Sequence, residues 1–344
     1  MNIQTLGIDV GKNVFHAVGL DTSGKVVLRR QFTRSALMRF MGKLAYCRVG
    51  MEACGGSQYL GRRFERFGHT VRLMAAQFVK PYVKSNKSDF NDAEAIAEAM
   101  TRPTMRFVTL KTVEQQDLQA LHRARSLLMG QRTALINQLR AFLLERGLTV
   151  PKGVAALRRR LPEVLEDADN ELSDRLRALI DQIWQQVSEL EARIATLNAE
   201  IEAIAATDMA CQRLLSIPGI GVLTATAMVA TVGDGKQFRC GREMAAFLGL
   251  VPRQYSTGGK PRLLGISKRG NTYLRMLLIH GARAVLRGGD KRSDRLGPWL
   301  RELKARRPSN VTAVALANKL ARIAWAVLVH GEDYRPSLSV LEAA

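Results

Sequence analysis

The sequence has few of the residues that form disulfides or soft-metal sites. Four cysteines and five histidines are spread over 344 residues, with no CxxC pair and no HxxxH spacing. A disulfide framework is therefore excluded, and so is a zinc site built from cysteine and histidine. The cysteine pattern predicts a protein with reduced thiols.

Long apolar runs are also missing. No segment reaches the roughly 18 consecutive apolar residues of a spanning helix. The N-terminal MNIQTLGIDVGK lacks the basic region and apolar region of a signal peptide. Together with the cysteine pattern, these absences predict a soluble, cytoplasmic protein.

Acidic residues are scarce relative to basic ones. The chain has 52 Lys and Arg against 31 Asp and Glu, a net charge of +21, and 47% of its residues are hydrophobic. The composition predicts packed cores, the length predicts two or three domains, and the charge predicts a polyanionic partner, with nucleic acid before an anionic membrane.

The charge is distributed in blocks. Residues 123–160 hold nine basic residues and one acidic, residues 163–202 hold three basic and eleven acidic, and residues 241–310 hold sixteen basic and four acidic. Each block alone is compatible with a solvated helix face, but two basic blocks around an acidic one favour contact with a polyanion.

The N-terminal third predicts an α/β layer. Alternating apolar residues at 6–10, a turn at 21–24 and extended runs at 25–28, 47–51 and 69–73 indicate strands. Helical patterns cover 34–45 and 59–67, and a further helix begins near Asp89. Strands followed by alternating helices and strands are typical of this class.

Four carboxylates, called the acidic cluster below, fall where such a sheet can bring them together: Asp9, Glu52, Asp89 and Asp92. Two lie on strands and two lie three residues apart at a helix start, on one face. Convergent carboxylates need a cation between them. Oxygen ligands suit Mg²⁺ or Mn²⁺, and two such ions stabilise both oxygens of a phosphodiester displacement. The alternatives are that Asp89 caps its helix while Asp92 complements the helix dipole, or that Gly7–Lys12 belongs to an actin-like ATPase.

The middle of the chain predicts a helical arm. Apolar residues from Leu172 to Ile204 follow steps of three and four, a heptad seam with one stutter. The pattern predicts a coiled coil, either folded back as a hairpin or paired with a second subunit, with a plain helical bundle as the alternative.

The C-terminal third contains two patterns suited to a DNA backbone. Ile217–Gly221, Ile-Pro-Gly-Ile-Gly, matches a helix-hairpin-helix, in which glycines let the backbone approach a phosphate. An ordinary turn between core helices is the alternative. The loop from Arg253 to Arg275 is rich in glycine, hydroxyls and cations. Its hydroxyls can bind phosphate, or one can attack phosphorus to form a covalent ester.

These motifs together resemble the transposases of the insertion-sequence-110 family, in particular its 1111-like branch. The resemblance is carried by Gly-Ile-Asp-Val-Gly-Lys (7–12), Met-Glu-Ala-Cys-Gly-Gly (51–56), Lys-Ser-Asp-Phe-Asn-Asp-Ala (87–93), Ile-Pro-Gly-Ile-Gly (217–221), Tyr-Ser-Thr-Gly-Gly (255–259) and Ile-Ser-Lys-Arg-Gly-Asn (266–271). It extends from about residue 5 to about residue 330.

The resemblance implies an α/β plus α architecture. A RuvC-like (RNase-H-like) domain is expected at 1–108, a coiled-coil arm at 109–206, and a mostly helical transposase domain with the helix-hairpin-helix and a serine loop at 207–335. It further implies that Asp9, Glu52, Asp89 and Asp92 hold Mg²⁺ or Mn²⁺, and that a serine forms a transient link to DNA. The resemblance also implies that a structured guide RNA encoded by the element pairs with donor and target DNA. It implies a protein that acts in the bacterial cytoplasm, at the nucleoid, as a dimer to tetramer with an active site shared between subunits.

The serine loop departs from the family pattern. The family nucleophile often stands directly before a glycine, whereas here Thr257 precedes Gly258 and Ser256 lies one residue earlier. We favour Ser256, because attack by the β-branched secondary alcohol of Thr257 is more crowded. Thr257 remains the alternative.

Three functions follow from these readings: an RNA-guided recombinase, a metal-dependent nuclease of the Holliday-junction type without a covalent intermediate, and a non-catalytic organiser of nucleic acid. The residues expected to contact nucleic acid are Lys12, Lys84, Lys87, Arg125, Arg132, Gly219, Gly221, Arg253, Lys260, Arg262, Lys268, Arg269 and Arg275.

Overall fold

The chain divides into two compact units, Met1–Thr112 and Val113–Ala344. The computed structural model describes residues 2–84, 86, 88–288, 294 and 296–336. The predicted arm and the predicted C-terminal domain lie together in the second unit, so the boundary at residues 206/207 stays a prediction.

The first unit is built on a six-stranded mixed sheet of order β3-β2-β1-β4-β5-β6. Strands β1, β4 and β5 are parallel to one another, and the other neighbours are antiparallel. The strands are β1 (Thr5–Val10), β2 (Val14–Leu20), β3 (Val26–Thr33), β4 (Arg48–Glu52), β5 (Thr70–Met74) and β6 (Phe107–Val108). The helices are α1 (Arg34–Lys43), α2 (Ser57–Arg66), α3 (Ala76–Val79) and α4 (Asp89–Met100), with a 3₁₀ turn at Lys80–Tyr82. The predicted α/β layer is confirmed.

Alternation along the strands assigns the two faces of this sheet. Leu6 and Ile8 of β1 point into a core shared with α1 and α2. The intervening residues Gly7 and Asp9 therefore belong to the opposite face, which α4 covers through Ala93 and Ala97. This division decides which face of the sheet carries the acidic residues.

The second unit is mostly helical. Its elements are α5 (Val113–Leu144), α6 (Val154–Glu166), α7 (Asp174–Thr207), α8 (Met209–Leu215), α9 (Val222–Val232), α10 (Gly241–Phe247), β7 (Pro252–Gln254), β8 (Leu263–Ile266), α11 (Thr272–Arg287), α12 (Leu296–Arg306) and α13 (Ser309–His330). Helices α8 to α13 enclose one apolar core, and the ends of α5, α6 and α7 form a second.

Helices α5 and α7 pack antiparallel along the heptad seam. Ile180, Val187, Ile194 and Ile201, each seven residues apart, are buried. The pairings Arg125–Asn198 and Arg132–Glu191 fix the direction, because one number rises by seven as the other falls by seven. The helices thus fold back on each other within the chain. Leu179, a predicted seam residue, is exposed, because it lies one residue before the buried Ile180, about 100° away around the helix.

Helix α13 is the one helix of the described residues that is long and apolar enough to cross a membrane. Its buried residues include Leu316, Leu320 and Ala324, which pack into the C-terminal core. This burial explains its apolar composition.

Candidate functional site

A row of polar side chains crosses three adjacent strands of the first unit. Asp9 on β1 pairs directly with His16 on β2. On the other side, Ile8 pairs with Met51 of the parallel strand β4. The next residues along are Asp9, one residue before the end of β1, and Glu52, the last residue of β4. Residues opposite one another in a ladder share a face, so all three belong to the face covered by α4.

Two glycines let α4 lie directly on this face. Gly7 and Gly50 are register partners on β1 and β4. A Cβ on Gly7 would overlap the backbone of α4 at Ala93 and Ala97, and a Cβ on Gly50 would overlap the Met100 side chain. Their absent side chains make room for the helix whose first turn contains Asp89 and Asp92.

The first turn of α4 shows whether Asp89 caps the helix or belongs to the acidic cluster. Ser88 occupies the N-cap position and the helix begins at Asp89, so Asp89 is not the capping residue. Its carboxylate lies 3.5 Å from His16 Nδ1 and is largely exposed. Asp89 therefore faces the polar row on the sheet.

The four carboxylates interact electrostatically. Burial raises the pKa of Asp9, and the negative charges of Asp89 and Asp92 raise it further, against an opposing effect of His16. Burial, Asp9 and Asp92 likewise raise the pKa of Glu52. Raised pKa values mean that ionised oxygens are held here without enough positive charge to balance them.

The acidic cluster offers the oxygen donors that a hard divalent cation requires. Within the described part of the chain, no three His, Cys, Asp or Glu side chains are arranged to hold an ion as they stand. The donor chemistry and the uncompensated charge fit a divalent cation.

His16 is a site residue that the sequence analysis missed. Its ring contacts Asp89 and packs edge-on against Phe90 at 4.7 Å between centroids. The signal was present in the hairpin: with a turn after Val10, the residue opposite Asp9 is His16. The strand register, and not a spacing of histidines along the chain, brings His16 to the site.

The serine hairpin, residues 252–266, lies in the second unit. Strands β7 and β8 are joined through a tight turn in which Gly258 and Gly259 both have positive φ, as a two-residue hairpin turn requires. Ser256 Oγ accepts hydrogen bonds from the Arg262 backbone N–H at 3.1 Å and from Gln254 Nε2 at 3.0 Å. These bonds hold its oxygen in place beside Arg262, while the hydroxyl of Thr257 has no hydrogen bond to the described residues.

Most predicted nucleic-acid contacts are exposed cations. Lys12, Arg253, Lys260, Arg262, Lys268 and Arg269 are exposed. Lys84 is exposed and pairs with Glu98 at 2.7 Å. Lys87 lies outside the described residues. Gly221 is exposed at the N-terminus of α9, with open space around it.

Four predicted contacts have structural surroundings instead. Arg275 is only 8% exposed and donates to the carbonyls of Leu248 and Arg269, which braces the loop before α11. Gly219 has φ +86° and lies against the backbone of Gly281 on α11, so its missing side chain serves helix packing. Arg125 and Arg132 face α7, because both occupy the heptad stripe of α5 with Leu118 and Leu139.

Two family models and several curated proteins match this chain. The family model described as "Transposase IS116/IS110/IS902 family" matches residues 211–296, and a DEDD-type model described as "Transposase" matches residues 6–146. A "Probable family 20 transposase" of Pseudomonas aeruginosa is 50% identical over 98% of this chain and 100% of its own length. The transposase for insertion sequence element IS1111A of Coxiella burnetii is 46% identical over 97% of this chain and 92% of its own length. The transposase for insertion sequence element IS1328 of Yersinia enterocolitica is 46% identical over 96% of this chain and 98% of its own length.

Proposed function

Because the chain belongs to the IS110/IS116/IS902 family of insertion-sequence transposases, enzymes that cleave and rejoin DNA, we propose that it moves its element by metal-assisted strand exchange through Ser256. The observation that carries the proposal is the packing of α4 on Gly7, which brings Asp89 and Asp92 near enough to Asp9 to raise its pKa. A DNA phosphodiester is the substrate suited to such a site.

The acidic cluster is the cation site of this proposal. Asp9, Glu52, Asp89 and Asp92 would hold Mg²⁺ or Mn²⁺, which neutralises charge on the reacting phosphate when bound. His16 orients Asp89 from the neighbouring strand. Burial reduces the hydration of the Asp9 carboxylate, so a bound cation stabilises its charged form more than it would stabilise an exposed carboxylate.

Ser256 is the proposed nucleophile. Its oxygen forms the bond to phosphorus while the bond from phosphorus to a sugar oxygen breaks, and the serine proton passes overall to that sugar oxygen. Attack by the hydroxyl of another strand reverses these changes and rejoins DNA without an external energy source. The Arg262 backbone N–H holds the serine oxygen, and the exposed cations of the hairpin place the DNA backbone.

A covalent adduct tests this step. The full chain is incubated with DNA carrying the element ends, the RNA transcribed from the element's non-coding end and Mg²⁺, and is then denatured and resolved by size. We expect a protein–DNA adduct for the wild type and for Thr257→Ala, and none for Ser256→Ala or Asp9→Asn. Glu94→Gln is the matched control, since Glu94 lies on α4 but pairs with Arg29. Cleavage without any adduct would favour the metal-only nuclease.

RNA guidance forms the second part of the proposal. Its support is the family resemblance together with the basic surface of the second unit. Purification of the chain from cells that carry the element, followed by sequencing of bound RNA, should recover a discrete transcript from the flanking non-coding DNA. Recovery of random cellular RNA would contradict it. Assembly into a dimer or tetramer, a coiled-coil role for the α5–α7 pair and phosphate contact at Gly221 belong to the same proposal.

A further inference from the structure

A large cavity in the second unit has no role in the functions described so far. Its volume is about 1230 Å³, slightly above the range of about 300–1,000 Å³ usual for ligand pockets. Strand β8 and Pro252 of the serine hairpin form one wall, and α13, with Trp299 of α12, forms the other. All of its walls belong to the second unit.

The cavity combines aromatic surface with unpaired positive charge. Trp299 and Trp325 line it, together with the cations Arg242, Lys319 and Arg322. No acidic side chain is among the described residues that line the cavity. Among the described residues, no acidic side chain forms an ion pair with any of these three cations. Lys319 Nζ lies 4.3 Å from the centroid of the Trp299 ring. Burial and the neighbouring Arg322 both lower the pKa of Lys319, so an anion beside these groups would relieve repulsion.

Apolar rings beside cations are the surface that an unpaired nucleotide requires. Its base stacks on an aromatic ring and its phosphate meets Lys or Arg. A base within a duplex cannot enter a cavity, because its faces are covered by its neighbours. An apolar protein segment would cover the half-buried Lys319 and the exposed Arg242 and Arg322 without offering them a partner, which is costly.

The hairpin links this cavity to the proposed nucleophile. Pro252 lines the cavity and Ser256 lies four residues further along the same chain, a span of about 13 Å for an extended strand. That span equals about four base steps of DNA at 3.4 Å per step. The occupant is therefore a nucleotide of the strand that Ser256 attacks, rather than one of a distant RNA.

We propose that the cavity between the serine hairpin and α13 binds an unpaired nucleotide of the DNA strand being cleaved, with its base against Trp299 and its phosphate at Lys319 and Arg322. The inference rests on the proposed function for the identity of the strand, and it adds a site that holds the strand open beside the cleaved bond. Removing one base from its stack costs free energy, and stacking and charge contacts in the cavity would offset that cost.

Tryptophan fluorescence can test the proposal directly. The chain has three tryptophans, and Trp184 lies on α7, away from the cavity, so the full-length Trp184→Phe variant reports from Trp299 and Trp325. It is titrated with single-stranded oligothymidylate of eight nucleotides, with the corresponding duplex and with oligouridylate. We expect saturable quenching by the single-stranded DNA, at least tenfold weaker binding of the duplex, and RNA binding no tighter than that of the single-stranded DNA.

Two variants locate the binding site. Lys319→Met should weaken single-stranded DNA binding about tenfold, whereas Lys236→Met, which removes an equal charge from an exposed ion pair in the same unit, should change it less than twofold. Trp299→Leu should also weaken binding, with circular dichroism checking that the fold is kept. Equal quenching by duplex, tighter binding of RNA, no effect of Lys319→Met, or quenching that follows self-association of the chain would each overturn the proposal.

The outcome is separable from that of the proposed function. Ser256→Ala should bind the oligothymidylate as tightly as the wild type, because Ser256 does not line the cavity. Binding without any covalent adduct in the wild type would reject serine chemistry and keep the cavity. An adduct without oligonucleotide binding would reject the cavity and keep the chemistry.

Discussion

At the scale of single residues, the protein holds charge where folding alone would not favour it. Asp9 and Glu52 have raised pKa values because they are partly buried among other carboxylates. Buried like charges lower stability, and proteins keep such arrangements where function needs them. The acidic cluster is thus expected to lower the stability of the cation-free protein and to favour binding of a cation.

Replacing Asp9 tests whether the acidic cluster lowers stability and binds a cation. Asp9→Asn should abolish DNA cleavage and, in the absence of divalent cations, raise the melting temperature by roughly 2–4 °C, which corresponds to about 1 kcal/mol. Mg²⁺ should raise the melting temperature of the wild type but not of Asp9→Asn. Glu94→Gln, which loses only the exposed pair with Arg29, should keep the Mg²⁺ response. A wild type that does not respond to Mg²⁺ would contradict the cation site.

His122 should make the second unit sensitive to acid. Its ring lies between Tyr273 Oη at 3.1 Å and Thr226 Oγ1 at 3.0 Å. Burial, with a smaller effect of Arg125, lowers its pKa from 6.5 to about 4. Because the unfolded chain binds the proton more readily, this contribution is complete above pH 6.5 and is lost as the pH falls to 4, a change of about 3 kcal/mol.

The measurement is urea unfolding between pH 7.5 and 4. The stability of His122→Gln should fall less over this interval than that of the wild type, although it starts lower at neutral pH. His280→Gln, at an exposed position, should follow the wild-type profile. Parallel profiles for the wild type and His122→Gln would show that another group is responsible.

At the scale of elements, close packing decides where function is possible. Helix α4 reaches the sheet only because Gly7 and Gly50 face each other in register beneath it. Helices α5 and α7 align through two polar pairs within an apolar seam. A polar pair at such a position fixes register, because any slip leaves its members buried without partners.

Adding one methyl group under α4 should separate the acidic cluster. Gly7→Ala must displace the helix or the strand, with an expected loss of about 1–3 kcal/mol in unfolding free energy and of most cleavage activity. Gly55→Ala, where a Cβ meets open space, should change stability by less than about 0.5 kcal/mol. Wild-type activity in Gly7→Ala would show that α4 need not lie on β1.

The α5–α7 seam should depend on Glu191. This residue pairs with Arg132, through Nη1, and with Arg158, while Arg132 Nε is buried with no hydrogen-bond partner among the described residues. Glu191→Ala should reduce the unfolding free energy by about 1–3 kcal/mol, since it leaves a partly buried cation unpaired. Glu189→Ala on the exposed side of α7 serves as the control in chemical denaturation. Equal effects of the two variants would show that the pair contributes nothing to register.

At the scale of the whole molecule, the surplus of 21 positive charges acts through particular surfaces. Some basic residues support the fold, as Arg125, Arg132 and Arg275 do. The cations on the serine hairpin and the loop before α11 are exposed, and we propose that these contact the phosphate backbone. Nucleic-acid binding should therefore depend on a subset of the charge rather than on its total.

Salt titration measures that subset. The logarithm of the DNA association constant falls with the logarithm of salt concentration by about 0.9 per phosphate contact. Replacing Arg253, Lys260 and Arg262 with glutamine should reduce the slope by about 2.7. The same change at the exposed residues Lys25, Lys43 and Lys236 should leave it nearly constant. An unchanged slope in the first triple variant would place DNA elsewhere.

The sequence by itself determined the local features of this protein. Strand alternation, turn residues and heptad spacing depend on neighbours within a few residues, so they predicted β1, β3, β4, β5, α4 and the α7 seam but not β2. The motifs also sufficed for the family. The strand and helix patterns assigned Asp9, Glu52, Asp89 and Asp92 to strands and to the start of a helix, and the family resemblance implied their role as metal ligands.

Only the tertiary structure decided which side chains are buried and which residues distant in sequence contact each other. Arg275 looks like its exposed neighbours Lys268 and Arg269 in the sequence, yet it is buried, because α11 turns it under the loop. Gly219 looks like a phosphate contact but packs on Gly281, 62 positions away along the chain. His16 joins the acidic cluster through a hairpin register, and Lys319 meets Trp299 through the packing of two helices. Such contacts depend on residues distant in sequence, and a local pattern carries no information about them.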